Sequence, residues 1–304
     1  MQLATGKKRP LGKRFLHAFR QDIGAWVLML PSLLLFICFV WQPLVNGLVL
    51  SMFETKGFDP VRFIGLQNFI DVTQESSFQS AVINTFKYTL WSLVLGFPLP
   101  ILTAVMLNEI KRFKAFFRFT VYFPSIVPGV AAAILWSLIY HPTSGLLNSL
   151  LSIFGIDAIP WLQSQNLVIP CIVVMMTWKG FGSTAILYLA SLQGVNQELY
   201  EAAMIDGAGV FRKFWNITLP SISGMFSLML VMQIISVFQV MYEPLTMTDG
   251  GPNNASISLM LTSYFYGFRF YQAGRAAAVG TITFLFLIGL TILYFYLQKK
   301  NDNG

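Results

Sequence analysis

Charge is scarce in this chain. Only 11% of its 304 residues are Asp, Glu, Lys or Arg, against 55% apolar and 15% aromatic residues. A soluble domain carries about a quarter of its residues charged, so a water-covered globule is excluded, and a mean hydropathy of +0.64 points to lipid as the covering solvent. Cysteine and histidine are scarcer still. Cys38 and Cys171 are its 2 cysteines; both sit inside apolar runs, where they pack as small hydrophobes rather than form a disulfide, a redox pair or a zinc site. The 2 histidines, His17 and His141, are too far apart in the chain to support a zinc site or a His-based triad. No lysine is followed by Ser or Thr, so the phosphate loop G-x-x-x-x-G-K-[ST] is missing and nucleotide hydrolysis by this chain is not expected. The sequence therefore offers no catalytic residue and no metal ligand set.

Long apolar runs are what the chain does have. A bilayer crossing needs roughly 20 mostly apolar residues, and stretches near 23–50, 80–108, 116–140, 166–190, 221–243 and 274–298 meet or approach that length. The net charge of +7 would suggest nucleic acid in a soluble protein. Here its distribution reports orientation instead. Lys7, Lys8, Arg9, Lys13, Arg14 and Arg20 precede the first run, Lys111, Arg112, Lys114 and Arg118 follow the second, Arg212 and Lys213 follow the fourth, and Lys299 and Lys300 close the chain. The alternate segments hold only Lys56, Arg62, Arg269 and Arg275. The positive-inside rule then places both termini in the cytoplasm. The first run is too long for a secretory signal and lacks a small-residue cleavage pattern, so it reads as a retained span. The expected fold class is all-α: a polytopic membrane protein with six transmembrane helices, preceded by a cytoplasmic basic segment 1–22 and followed by a cytoplasmic tail 299–304.

Prolines and glycines recur inside the runs: Pro31, Pro43, Pro98, Pro100, Pro124, Pro128, Pro170, Gly180 and Gly182. Such breaks either line a pathway or mark ordinary kinked packing. Polar side chains at membrane depth divide in the same way. A saccharide presents apolar faces and hydroxyl edges, so aromatic rings beside hydrogen-bonding groups suit it. Asn84, Tyr88, Trp178, Lys179, Gln233, Gln239, Tyr242 and Glu243 are the pathway candidates, with interhelical glue, ion pairing or snorkelling to an interface as the alternatives. On a continuous helix, Gln239 and Tyr242 share a face and Gln233 lies roughly 120° from Gln239.

Between the fourth and fifth runs lies a polar interlude, "QELYEAAMIDGAGVFRKFWNITLP", residues 197–220. By the charge pattern it is cytoplasmic. It reads as two short helices at a glycine bend, with Gly207 and Gly209 as breakers and Leu219-Pro220 as the stop. Glu201, Met204, Phe211 and Phe214 are expected on the exposed face, an apolar and acidic mixture suited to a groove on a partner protein.

Glu201-Ala202-Ala203, three residues, Gly207, nine residues and then Ile217-Thr218-Leu219-Pro220 resembles the EAA loop of permease subunits of binding-protein-dependent ABC importers. "FIGLQNFIDV", "NTFKYTL", "FPSIVPGVAAAILWSLIY", "SGLLNSLLSIFGI" and "MTDGGPNNAS" resemble the carbohydrate branch of that family, which includes maltose and glycerol-3-phosphate permeases. The likeness spans about residues 20–298, without the extra N-terminal spans and large periplasmic insertion of the maltose subunit. It implies a six-span permease domain over 23–298 in a bacterial cytoplasmic membrane. Glu201, Ala202, Ala203, Met204, Asp206, Gly207, Phe211, Phe214, Leu219 and Pro220 would then form a coupling helix docked on a separate ATPase. It further implies a heterodimer with a second homologous permease, two ATPase subunits that use ATP and Mg, an extracytoplasmic sugar-binding protein, a carbohydrate substrate and no cofactor on this chain. The alternative is a stand-alone secondary carrier for a small polar solute; such a carrier needs a buried acidic relay, and only Glu243 is available for one.

Overall fold

The computed structural model describes residues 23–302. The basic segment 1–22, with His17, and the last two residues of the tail lie outside the described residues. The chain divides at Leu50 into two units. The first holds α1 (Gly24–Leu50), which carries apolar residues on every face.

The second unit begins with a two-stranded antiparallel hairpin, β1 (Phe53–Lys56) and β2 (Asp59–Phe63). Gly57 turns it at φ +66, a value open to glycine without penalty. There follow α2 (Gln67–Gln74), α3 (Ser76–Glu109), α4 (Lys114–Ile126), α5 (Gly129–Ile139), α6 (Leu146–Ile153), α7 (Val168–Gln193), α8 (Gln197–Ile205), α9 (Val210–Ser221), α10 (Ser223–Phe238), α11 (Tyr242–Thr248), α12 (Leu259–Tyr264) and α13 (Ala273–Lys299). Among the described residues, 4 helices (α1, α3, α7 and α13) are long and apolar enough to cross a membrane, or up to 6 if each bent pair counts as one span.

Three expectations are corrected here. Residues 116–140 do not form one straight helix: α4 and α5 meet at 92°. Val127 is extended, and Pro128 at the N-cap of α5 has no N–H to continue the ladder. The fifth run does not reach 243 as a helix either. It ends at Phe238, where the N–H groups of Gln239 and Val240 donate to the carbonyls of Ser236 and Val237, 3.1 Å each, in a tightened last turn. Tyr242 opens the separate helix α11, so Gln239 and Tyr242 do not share a helical face. Pro220 likewise fails to stop its helix: α9 runs through it to Ser221 and turns by 77° into α10.

Pro220 and two other prolines are absorbed rather than obeyed. A single wide turn precedes Pro43 (Ile37–Trp41), Pro98 (Ser92–Gly96) and Pro220 (Phe214–Thr218). In each, the residue just before the proline donates its N–H five residues back, as Phe97 does to Ser92 at 2.9 Å. The widened loop makes room for a ring that would otherwise strike the preceding turn.

Three apolar clusters follow one another along α3. Phe78 and Ala81 join Val72, Phe238, Leu261 and Val279; Tyr88 joins Ala132, Ala133, Ile172 and Met175; Ile101, Ala104 and Leu107 join Tyr188, Leu189 and Ile222. Lipid is as apolar as leucine, so association within a bilayer depends on close packing and interhelical hydrogen bonds rather than on apolar burial. Both are present. A Cβ added to Gly182 of α7 would fall 1.9 Å from the carbonyl oxygen of Val121 on α4, so only glycine permits that crossing. Next to it, Ser125 Oγ donates to the Lys179 carbonyl at 2.9 Å.

Candidate functional site

Two regions concentrate the residues expected to function: a knob between α7 and α10, and a cavity among α3, α7, α10 and α11.

The knob is built by its caps. Asn196 Oδ1 accepts from the Glu198 N–H at 3.0 Å to start α8. At the other end Gly207 takes φ +71; its N–H donates to Met204 O at 3.1 Å and that of Ala208 to Ala203 O at 2.8 Å. This pair of bonds is a Schellman motif, which favours glycine at that position. Gly209 then caps α9, and the hydroxyls of Tyr200 and Thr218, 3.0 Å apart, tie the two helices together. The tips carry Ile205, Val210 and Phe211, exposed by 87%, 73% and 83%, with Met204, Trp215, Glu201, Ala202 and Asp206 also exposed and Ala203 half-buried. One expected member faces the other way. Phe214 is half-buried and packs against the Ile101–Tyr188 cluster, so it anchors the knob instead of displaying it. Leu219 is half-buried and Pro220 exposed within α9.

The cavity holds about 400 Å³. Lys179, Gln233, Tyr242 and Glu243 line it. Gln233 Nε2 donates to Ser92 Oγ, joining α10 to α3 along the wall. The Tyr242 ring packs against the backbone at Gly129, where an added Cβ would be 2.8 Å from the ring. Glu243 is only 7% exposed, and its Oε2 has no hydrogen-bond partner among the described residues. Unsatisfied buried carboxylate oxygens are costly, so this atom is available to a ligand hydroxyl. Hydroxyls that the sequence reading passed over complete the lining: Ser92, Thr177, Ser183, Thr184 and Ser236. For those on α7 the signal is a stripe of small and polar residues at Thr177, Gly180, Ser183 and Thr184, recurring at three- and four-residue intervals on one side of the helix.

Four other pathway candidates lie elsewhere. Asn84, buried on α3, donates through Nδ2 to the carbonyls of Asn254 and Ile257 at 2.7 and 3.1 Å, and Tyr88 Oη donates to Ser256 O at 3.0 Å. Both clamp the Gly-Gly-Pro-Asn-Asn loop onto α3. Trp178 packs edge-on to Trp136, ring centroids 5.8 Å apart, and Gln239 is exposed.

The hairpin end is held by charge. Arg275 bridges Asp71 and Glu75 at 3.1 and 2.9 Å, and Tyr266 Oη donates to Glu75. Burial first, and then the Glu75 bond, hold the Tyr266 hydroxyl above its ordinary titration range, so it remains a donor. Arg269 grips Asp249 with both terminal nitrogens, at 2.7 and 3.0 Å, and lies 4.0 Å from the Phe265 ring centroid.

This architecture matches known proteins. Residues 96–303 match the family described as "Binding-protein-dependent transport system inner membrane component". The chain belongs to this family. A probable ABC transporter permease protein of Bacillus subtilis (strain 168), YurN, is 33% identical over 279 residues, covering 90% of this chain and 95% of the relative. The trehalose/maltose transport system permease protein MalF of Thermococcus litoralis is 30% identical over 277 residues, covering 91% and 94%. Among solved structures, a bacterial ABC transporter involved in the import of the acidic polysaccharide alginate superposes with a TM-score of 0.83 at 25% identity, covering 94% of this chain and 99% of that one. A bacterial alginate ABC transporter solved in complex with an alginate pentasaccharide-bound periplasmic protein superposes with a TM-score of 0.82 at 25% identity, covering 94% and 98%. Membership in this family replaces the stand-alone carrier reading.

Proposed function

We propose that the chain is the transmembrane subunit of an ATP-driven carbohydrate importer. It forms half of the sugar passage, and a second homologous permease supplies the other half. ATP and Mg are used by two separate ATPase subunits, and an extracytoplasmic binding protein delivers the sugar. The six-span count treats each bent pair as one crossing, and the charge distribution supports a cytoplasmic side for the termini and the knob. The α8–α9 knob is the observation that carries this reading. It displays an apolar tip on a rigid, doubly capped two-helix support, flanked by the carboxylate of Glu201. Docked in an ATPase cleft, such a knob transmits closure of the ATPase pair to α7 and α10, and rocking of these helices opens the cavity to one side of the membrane at a time.

Within the cavity, Lys179 and Gln233 offer donors and Glu243 an acceptor to saccharide hydroxyls, while Tyr242 presents a ring face. Glu243→Gln keeps the side-chain shape but replaces one oxygen acceptor by an amide donor. A buried group left without its hydrogen-bond partner costs about 1–3 kcal/mol, so uptake of labelled oligosaccharide by cells producing the variant should fall about fivefold or more, with co-purification of the ATPase retained. Unchanged uptake would remove Glu243 from the passage. Retained uptake with no ATPase bound to the wild-type chain would overturn the importer reading itself.

A further inference from the structure

The segment between α3 and α4 is not explained by the transport cycle. Lys111 and Arg112 precede α4, Lys114 opens it, and Arg118 follows one turn later. None of the four has a carboxylate within ion-pair distance among the described residues. Arg118 is half-buried, and its Nε is buried with no hydrogen-bond partner among the described residues. Phe113, which sets the N-cap of α4 in the left-handed region at φ 56, makes no side-chain cap bond, so the first N–H groups of the helix gain no acceptor from it. Its ring is 77% exposed and that of Phe116 63%.

Four unpaired cations interleaved with exposed phenylalanines, at the end of a bundle of membrane-crossing helices, match one chemistry. We propose that this surface binds the phosphate headgroup of an anionic phospholipid, with Phe113 and Phe116 in the acyl region. Charge complementarity selects the headgroup, and the exposed rings select a lipid over a free phosphate ion. The proposal rests on the chain lying in a bilayer and is independent of which solute it carries.

The test uses the full chain in nanodiscs of phosphatidylcholine mixed with phosphatidylglycerol, followed by native mass spectrometry of the lipids retained after transfer to detergent. The wild type should retain phosphatidylglycerol in preference. Each cation removed from an anionic surface lowers the partition about fivefold, so Lys111→Gln with Arg112→Gln should reduce the preference about 25-fold. The charge-matched control, Lys56→Gln with Arg62→Gln at the hairpin, should leave it intact. Both pairs are exposed and outside the helices, and the one bond the control loses is the surface ion pair of Arg62 with Glu54 at 3.0 Å, which contributes little to stability, so folding is retained. An equal loss in the control, or no preference in the wild type, would overturn the proposal. Displacement of the lipid by inorganic phosphate at matched ionic strength would do the same and assign the site to the free ion. Loss of a co-purifying protein with no change in retained lipid would assign the surface to that protein and also sink the lipid reading.

Discussion

Glu201→Lys is expected to reduce ATP-dependent sugar uptake by roughly thirtyfold or more while the chain still inserts into the membrane. Glu201 lies exposed on α8, and the structure gives it no ion-pair or hydrogen-bond partner of its own among the described residues. Reversing its charge therefore costs the isolated chain little. The cost falls on the docked state, where a lysine would face the basic group that the carboxylate is proposed to meet. Losing one partner of a desolvated charge pair costs about 2–5 kcal/mol, and like-charge contact adds to it. Uptake, membrane content of the chain and recovery of the ATPase should be measured on the same cells. Low uptake at normal membrane content with the ATPase lost fits docking; normal uptake would remove Glu201 from the coupling contact.

The second large effect is on stability. Gly182→Val should destabilise the chain by about 3 kcal/mol, because overpacking a tight contact costs up to that order and here no flexible atom can give way. The added Cβ would meet the Val121 carbonyl oxygen at 1.9 Å, its carbon at 2.8 Å and the Tyr122 Cα at 3.1 Å, all of them backbone. Relief requires α4 to leave α7, which also breaks the bond from Ser125 to the Lys179 carbonyl. Gly224→Ala is the control, since none of the described residues lies within 4 Å of a Cβ there. A lowered thermal midpoint for the first variant in detergent, with the second at or above wild type, is the expected pattern. Equal midpoints for Gly182→Val and wild type would mean that the crossing is looser than described.

Length and polarity made much of this architecture readable. α1, α3, α7 and α13 stand where uninterrupted apolar runs demanded them, and the α8–α9 knob stands where Gly207 and Gly209 interrupt a helix-forming stretch. Proline was ambiguous because its consequence is decided by its surroundings. Pro98 is accommodated by one wide turn inside α3, whereas Pro128 separates two helices by 92°. The Tyr242 ring, from a segment more than a hundred residues away, packs against Gly129 just beyond this bend. The orientation of Phe214 depended on its meeting the cluster around Tyr188, which periodicity within α9 does not encode. Polar residues at membrane depth divided for a related reason. Lys179, Gln233, Tyr242 and Glu243 line the cavity, while Asn84 and Tyr88 hold loop carbonyls. Binding a sugar and satisfying a buried carbonyl require the same side chains.

The central claim is that the α8–α9 knob seats in a separate ATPase. A photo-crosslinking amino acid placed at Phe211, the exposed aromatic of the tip, tests it directly in native membranes, with the adduct identified by mass spectrometry. An adduct with an ATP-binding-cassette subunit, lost when Glu201→Lys is added, is the predicted result. Adducts with lipid alone, or with a protein that binds no nucleotide, would contradict the account.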